Sequence, residues 1–382
     1  MPWRTVDVLA AAAPSSDPYA PGASAWALAS GFSARGADVR VLHPPGDGAE
    51  GPPAGTQSVP VPLALRRPGA AVESADFALA AGRVVRRTAE VVVRDPLGLG
   101  GLGLGRSRAG SPLVAGFVRS LELTEYDRER SPAAARGVAG RLDVWRDRRA
   151  VRRLERIALE EADRLFYDAP DVPGQLAQEY AVPARRLVPS PPPVLASEPA
   201  PTRAAARETL RLPPDVPIVA APSSSADPAA AGIDRCAEAF RRVRPFFPGA
   251  RLIVVGCPAP TDAGVVSVPA RDRTSVGGVL AAADAALFLP RTPAFDPGVV
   301  LALRAGCVVV RAPEARLPID PGPLVRTLAS DDAAESASLL AELLADPALR
   351  RRSAEEAAAV AGRFDPERVA EGIEGALAKP TG

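Results

Sequence analysis

The chain's 382 residues are enough for two or three domains, each with a core of its own. Hydrophobic residues make up 47% and charged residues 24%, which excludes an intrinsically disordered or membrane-embedded class. Basic and acidic side chains nearly cancel, 46 against 45, so there is no broad positive field to steer nucleic acid.

From the N-terminus, short β-rich runs alternate with helical stretches, the pattern of parallel βαβ units. TVDVLAAA (5–12) reads as a strand, ASAWALASGFSARG (23–36) as an amphipathic helix and DVRVLH (38–43) as a second strand. A helix near 74–87, strands at 90–95 and 112–118 and a long charged helix at 141–164 follow. A strand at 165–168, a helix near 172–180 and a strand at 186–190 close the first series. SPPPVLASEPAPT (190–202) holds five prolines and reads as a linker without ladder partners. In the second series, strands are expected at 217–222, 250–256, 265–270, 285–290 and 307–312. Helices are expected near 232–244, 274–283, 297–305, 334–345, 348–362 and 366–377. The expected organisation is an α/β domain over 1–190, a linker over 191–202, a second α/β domain over 203–365, and a C-terminal helix and tail over 366–382. Two doubly wound parallel sheets of this kind set a ligand cleft between them.

Several local signals have bland readings. Proline, 43 residues, is over-represented and Lys379 is the only lysine, which reads as the coding bias of a GC-rich bacterial genome. Cys236, Cys257 and Cys307 lie far apart in apolar runs and read as buried free thiols. With one histidine and no paired thiols there are too few ligands for a transition-metal site. The N-terminal apolar stretch is broken by proline too early for a membrane span and has only Arg4 as an early cation, so a cytoplasmic location is expected. Gly98, Gly100 and Gly103 spell G-x-G-x-x-G after a strand, with Glu122 downstream, but only RSRAGSP separates Gly105 from the next strand. That leaves no room for the helix a dinucleotide site needs, and a flexible loop is expected. His43 reads as a partly buried residue capping a strand end. In RDRRAVRRLER (146–156), the nearby Glu155, Glu160, Glu161 and Asp163 suggest an ion-paired, solvated face.

ASAWALASGFSARGADVRVL, LTEYDR, RIALEEADRLFYDAP and RRLVPSP occur in the first half. ARETLRLPPDVPIVAAP, FRRVRPFFPGARLIVVG and AAADAALFLPRTPAFDPGVVLALRAGCVVV follow in the second. In this order and spacing they resemble the retaining GT-B glycosyltransferases of family 4. The resemblance implies two Rossmann-like domains facing a cleft, the first on the acceptor side and the second on the donor side. It further implies transfer of a sugar from a nucleotide diphosphate sugar to an acceptor in glycan or glycolipid biosynthesis, with no resident cofactor or metal.

The family's donor-binding positions are altered here. Its diphosphate-gripping Gly-Arg pair falls on Pro222 and Ser223, and its lysine on Ala231, ahead of Gly232, Ile233 and Asp234. Its two glutamates fall on Pro293 and Leu301, and its N-terminal histidine on Glu122. The resemblance leaves Glu125 and Glu122 as catalytic candidates, Asp127 and Arg128 as an ion-pair candidate, and Gly22, Gly256, Phe295 and Gly298 as donor-binding candidates. Arg291 and Arg304 are the nearest substitute cations. Asp296 is placed to cap the helix that begins at Pro297, setting a carboxylate where the family directs free amides at the diphosphate. Nucleotide sugars are therefore expected to bind with dissociation constants of about 0.1 mM or weaker. Two functions fit: a glycosyltransferase using substitute residues, or a non-catalytic homologue that binds or scaffolds a glycosyltransferase partner. Expected partners are a nucleotide sugar or a glycan acceptor, not nucleic acid, with peripheral contact at the inner face of the membrane.

Overall fold

Strands covered by helices on both faces read as continuous apolar runs, and residues 91–93 and 252–255 do so because both their faces are buried. The computed structural model describes residues 3–10, 12, 17–20, 22–45, 55–63, 70–104, 111–129, 137–195, 201–223, 225, 227–269, 272–291, 294–318, 325–329, 332–346, 348, 356–357 and 359–378. The chain divides into two units: residues 1–15, 21–193 and 366–382 form the first, and residues 16–20 and 194–365 the second.

The first unit runs β1 (Thr5–Ala10), α1 (Ala23–Ala34), β2 (Asp38–His43), β3 (Thr56–Pro60), α2 (Ala70–Val84), β4 (Val91–Asp95) and β5 (Leu113–Val118). It continues with α3 (Glu122–Glu129), α4 (Gly137–Glu161), β6 (Arg164–Tyr167), α5 (Val172–Tyr180) and β7 (Leu187–Pro189). Its seven strands are all parallel, in the order β3-β2-β1-β4-β5-β6-β7. The closing helix, Pro366–Leu377, belongs to this unit. It packs against α1 where Gly31 leaves no side chain above the Pro366 carbonyl, and Arg35 pairs with Glu374 at 2.8 Å.

The second unit contains α6 (Arg203–Thr209), β8 (Ile218–Pro222), α7 (Ile233–Val243), β9 (Arg251–Val255), β10 (Val265–Val268), α8 (Arg273–Ala282) and β11 (Ala285–Phe288). Then come β12 (Ala294–Phe295), α9 (Pro297–Arg304), β13 (Val308–Arg311), β14 (Ala315–Arg316), β15 (Val325–Thr327) and α10 (Ala333–Ala345). Six strands form a parallel sheet in the order β10-β9-β8-β11-β13-β15, and β12 pairs with β14. Apolar clusters cover both faces. Val299, Val300 and Leu303 of α9 lie on one side, and Ile233, Cys236 and Phe240 of α7 on the other.

The elements expected from periodicity are present, with boundaries shifted by a few residues, but β3, α3, α6, β12, β14 and β15 were not anticipated. β3 is a short polar edge strand, and α3 is a polar eight-residue helix, so neither shows a clear apolar period. The expected helix over 348–362 lies largely outside the described residues. The glycine-rich loop is tied down by burial and hydrogen bonds along 98–104. Leu99 and Leu102 are buried, Leu99 N–H donates to Ser74 Oγ at 3.0 Å, and Glu161 accepts from Leu102 N–H at 2.7 Å and Gly103 N–H at 3.1 Å. Fully buried Arg94 donates to the Gly100 carbonyl at 3.0 Å, and burial, opposed by Glu161, pulls its pKa down to about 10.

The proline run is also held at its start. Pro192, Pro193 and Val194 are buried, Ser190 N–H donates to Tyr167 O at 2.9 Å, and Val194 N–H donates to Phe364 O at 3.0 Å. The three cysteines are buried and form no disulfide, and burial pushes the Cys236 and Cys307 thiols up to about 12. His43 is buried at the end of β2. Its Nδ1 lies 2.8 Å from Pro44 O, which can only accept, so Nε2, 2.7 Å from Ser58 Oγ, is the acceptor nitrogen.

Candidate functional site

In open parallel sheets, ligands bind beyond the carboxyl ends of the strands where strand order reverses. That point lies between β1 and β4 in the first unit, and between β8 and β11 in the second.

In the first unit three adjacent strands end on or beside a charged residue: Asp95 ends β4, Arg119 follows β5 and Asp168 follows β6. Parallel register brings them side by side. Arg119 Nη2 reaches both Asp95 oxygens at 3.0 and 2.9 Å, its Nε reaches Oδ1 at 3.1 Å, and Nη1 donates to Asp168 at 2.8 Å. Ser24 at the start of α1 donates to Asp95 at 2.6 Å and accepts from Arg119 at 2.8 Å. The guanidinium lies over the Phe117 ring, 4.8 Å from its centroid. Burial pulls the Arg119 pKa down, but Asp95 and Asp168 more than offset it, so the net shift is upward. Burial raises Asp168 against the lowering effect of Arg119.

Beside this clamp is a cavity of about 270 Å³, lined by Ser24, Asp95, Phe117, Arg119, Glu122 and Glu155 among others. Buried Glu155 caps α3, accepting the Glu122 N–H at 2.7 Å and the Leu123 N–H at 3.3 Å, and it also accepts the Tyr180 hydroxyl. Burial raises its pKa, opposed by Tyr180 and the two amides. The structure thus sets Glu122 in the cavity wall. Glu125 is half-buried one turn along the same helix and does not line this cavity. Asp127 pairs with Arg148 at 2.8 Å, and the side chain of Arg128 lies outside the described residues. Gly22 is buried as the residue before α1, and its carbonyl accepts the Trp26 N–H at 3.1 Å.

In the second unit the same edge carries a different chemistry. Pro222 ends β8, and fully buried Ser223 bonds its hydroxyl to the Ser225 carbonyl within its own loop. Ala231 is buried. Gly232 has φ of +69°, and a Cβ there would collide with the Leu289 carbonyl at the end of β11. Gly256, with φ of +91°, follows β9 and donates to Val268 O at 2.8 Å. Leu301 is buried inside α9, and Pro293 lies outside the described residues.

Asp296 is the N-cap of α9 and Pro297 its first residue. The buried carboxylate accepts the Gly298 N–H at 2.9 Å, and the buried Tyr19 hydroxyl lies beside it and lowers its pKa. Asp17 builds the turn that delivers Tyr19, accepting the Tyr19 N–H on its side chain at 2.9 Å and the Ala20 N–H on its carbonyl at 3.0 Å. A Cβ on Gly298 would collide with the Tyr19 hydroxyl and lie 2.7 Å from Phe288 Cε1. A helix N-terminus favours an anion, but here burial outweighs the amide and hydroxyl donors and lifts Asp296 to about 7.

The two substitute cations are placed apart. Arg291 is exposed at the turn holding Ala231, where it donates to Ala229 O at 3.0 Å and pairs with Asp234. Arg304 is at the far end of α9, donating to Val194 O at 2.9 Å and pairing with Asp365 at 2.6 Å. Phe295 stacks on Phe364 with centroids 6.0 Å apart. Sequence reasoning missed Tyr19 and Arg119. The signal for Arg119 was the charged residue at the end of each of three neighbouring strands. Tyr19 gave none, because its partner is 277 positions away.

No protein-family model and no curated protein matches the chain. Solved structures do. WaaG, a glycosyltransferase involved in lipopolysaccharide biosynthesis, superposes with a TM-score of 0.69 at 18% identity over 97% of this chain and 100% of its own. Sucrose-phosphate synthase from Thermosynechococcus elongatus gives 0.69 at 17% identity over 98% of both chains. Anabaena HepE, solved in complex with UDP-glucose, gives 0.64 at 13% identity over 98% of this chain and 99% of its own. These likenesses run the length of the chain, and with two all-parallel sheets of reversing strand order they identify the fold as GT-B.

Proposed function

We propose that the chain is a bacterial, cytoplasmic, family 4-like glycosyltransferase that takes a sugar from a nucleoside diphosphate donor to an acceptor in glycan or glycolipid synthesis. The observation supporting this reading is the whole-length likeness to HepE, itself solved with UDP-glucose, in a chain whose sheets both reverse strand order. In this reading the donor lies against the second unit, at the edge formed by Gly232, Gly256, Gly298 and Arg291. The acceptor enters the first unit's cavity, where Glu122 and the Asp95–Arg119 clamp meet its hydroxyls. Calorimetric titration with UDP- and GDP-sugars, paired with an assay of nucleotide release, tests it. Saturable binding with turnover supports transfer, and no binding by any nucleotide sugar overturns it.

One observation favours a second reading, a non-catalytic homologue that docks a glycosyltransferase partner. Asp296 puts a carboxylate on the α9 amides where a diphosphate would otherwise be received, and Pro297 has no N–H to give. Binding weaker than about 0.1 mM that tightens on Asp296→Gly, without release of nucleotide, would favour this second reading. Glu125→Gln should leave that affinity unchanged.

A further inference from the structure

The arginine-rich helix α4 does not pair its charges as its composition suggests. Glu155, Glu161 and Asp163 turn inward and accept backbone amides: those of 122 and 123, of 102 and 103, and of 114. Arg148 and Arg152 are tied to Asp127 and Glu179. Arg149, Arg153 and Arg156 are exposed and make no ion pair among the described residues, and Arg146 has only Asp143 at 3.6 Å, itself mostly solvated. On the same side of the helix, within about 120° of arc at roughly 100° per residue, are three of the exposed large apolar side chains among the described residues: Leu142 at 61%, Trp145 at 56% and Ile157 at 39%. The Arg149 guanidinium lies over the Trp145 ring, 5.6 Å from its centroid.

We propose that this stripe of α4, from Leu142 to Ile157, is the surface by which the protein lies on an anionic lipid bilayer. The stripe spans about 22 Å at 1.5 Å per residue. Between positions 141 and 160, five exposed arginines face two exposed carboxylates, whereas the whole chain carries a net charge of only +1, so the positive charge is concentrated here. Guanidinium groups alternating with tryptophan and aliphatic side chains fit the headgroup layer, where the cations meet lipid phosphates and the apolar groups enter the acyl boundary. A second copy of the same face would bring like charges together. Nucleic acid would leave Leu142 and Ile157 unburied. The proposal is independent of sugar transfer.

The test uses the full chain and sedimentation with vesicles of phosphatidylcholine alone or with phosphatidylglycerol, at low and high salt. Binding should require the anionic lipid, weaken with salt and blue-shift Trp145 emission, a shift that Trp145→Phe removes. Arg149→Gln/Arg153→Gln/Arg156→Gln together should weaken binding roughly 10²-fold, at about one kcal/mol of attraction per arginine. Leu142→Ser/Trp145→Ser should weaken it as well, with melting temperatures unchanged because all these side chains are exposed. Arg241→Gln/Arg242→Gln, on another exposed helix, should have no effect. Equal binding to neutral vesicles, no binding to either, or binding untouched by both stripe variants overturns the proposal. So does a stripe that drives only self-association or DNA binding.

Discussion

The carboxyl edges of the two sheets present the same geometry with opposite charge management. In the first unit Asp95 and Asp168 share the Arg119 guanidinium, Asp95 also accepts the Ser24 hydroxyl, and a cavity of about 270 Å³ lies beside them. In the second unit Asp296 has the Gly298 amide and the Tyr19 phenol beside it but, among the described residues, no cation, and its pKa climbs to about 7. One backbone amide and a phenol are too few donors to offset the full burial of Asp296.

The harshest way to break this contrast is to take the cation from the first edge. Arg119→Met leaves two buried aspartates facing each other and should cost about 3–5 kcal/mol in urea unfolding, with Arg119→Lys in between because it cannot form the bidentate fork. The second edge should respond to pH instead. Asp296 has its folded pKa raised above the unfolded value, so the native state holds the proton longer and stability falls as pH rises from about 4 to 7. Asp296→Asn keeps an oxygen for the Gly298 N–H and cannot ionise. Its stability relative to wild type should therefore grow across that window, by at most about 4 kcal/mol, and level off above it. Parallel curves for the two proteins would show that Asp296 titrates normally. The smallest effect concerns the Tyr19 contact. Gly298→Ala should cost about 1–3 kcal/mol from overpacking, and less in a Tyr19→Phe background that removes the colliding oxygen; a double-mutant cycle reads the difference.

Strands such as 38–43 and helices such as 172–180 were legible because period and boundary residues agree, and 366–377 was bounded correctly for the same reason. Asp296 and Pro297 were legible as a cap because the preference for these residues at a helix start is local. The environment of Asp296 was not, since it depends on Tyr19 arriving from the other end of the chain. The α4 arginines mislead for a related reason. Composition places carboxylates near them in sequence, but the helix turns those carboxylates to the protein side, where backbone amides compete for them.

The closing helix has a consequence for the order in which the molecule is made. Helix α1 emerges early, yet the surface it buries against, residues 366–377, is made only after the stretch 194–365, and Arg164 on β6 also waits there for the Ala376 carbonyl, 3.2 Å away. The stretch 194–365 has its sheet complete before that helix leaves the ribosome. Because contacts between distant parts of a chain are slow to close, the half that is translated first should be the half that matures second.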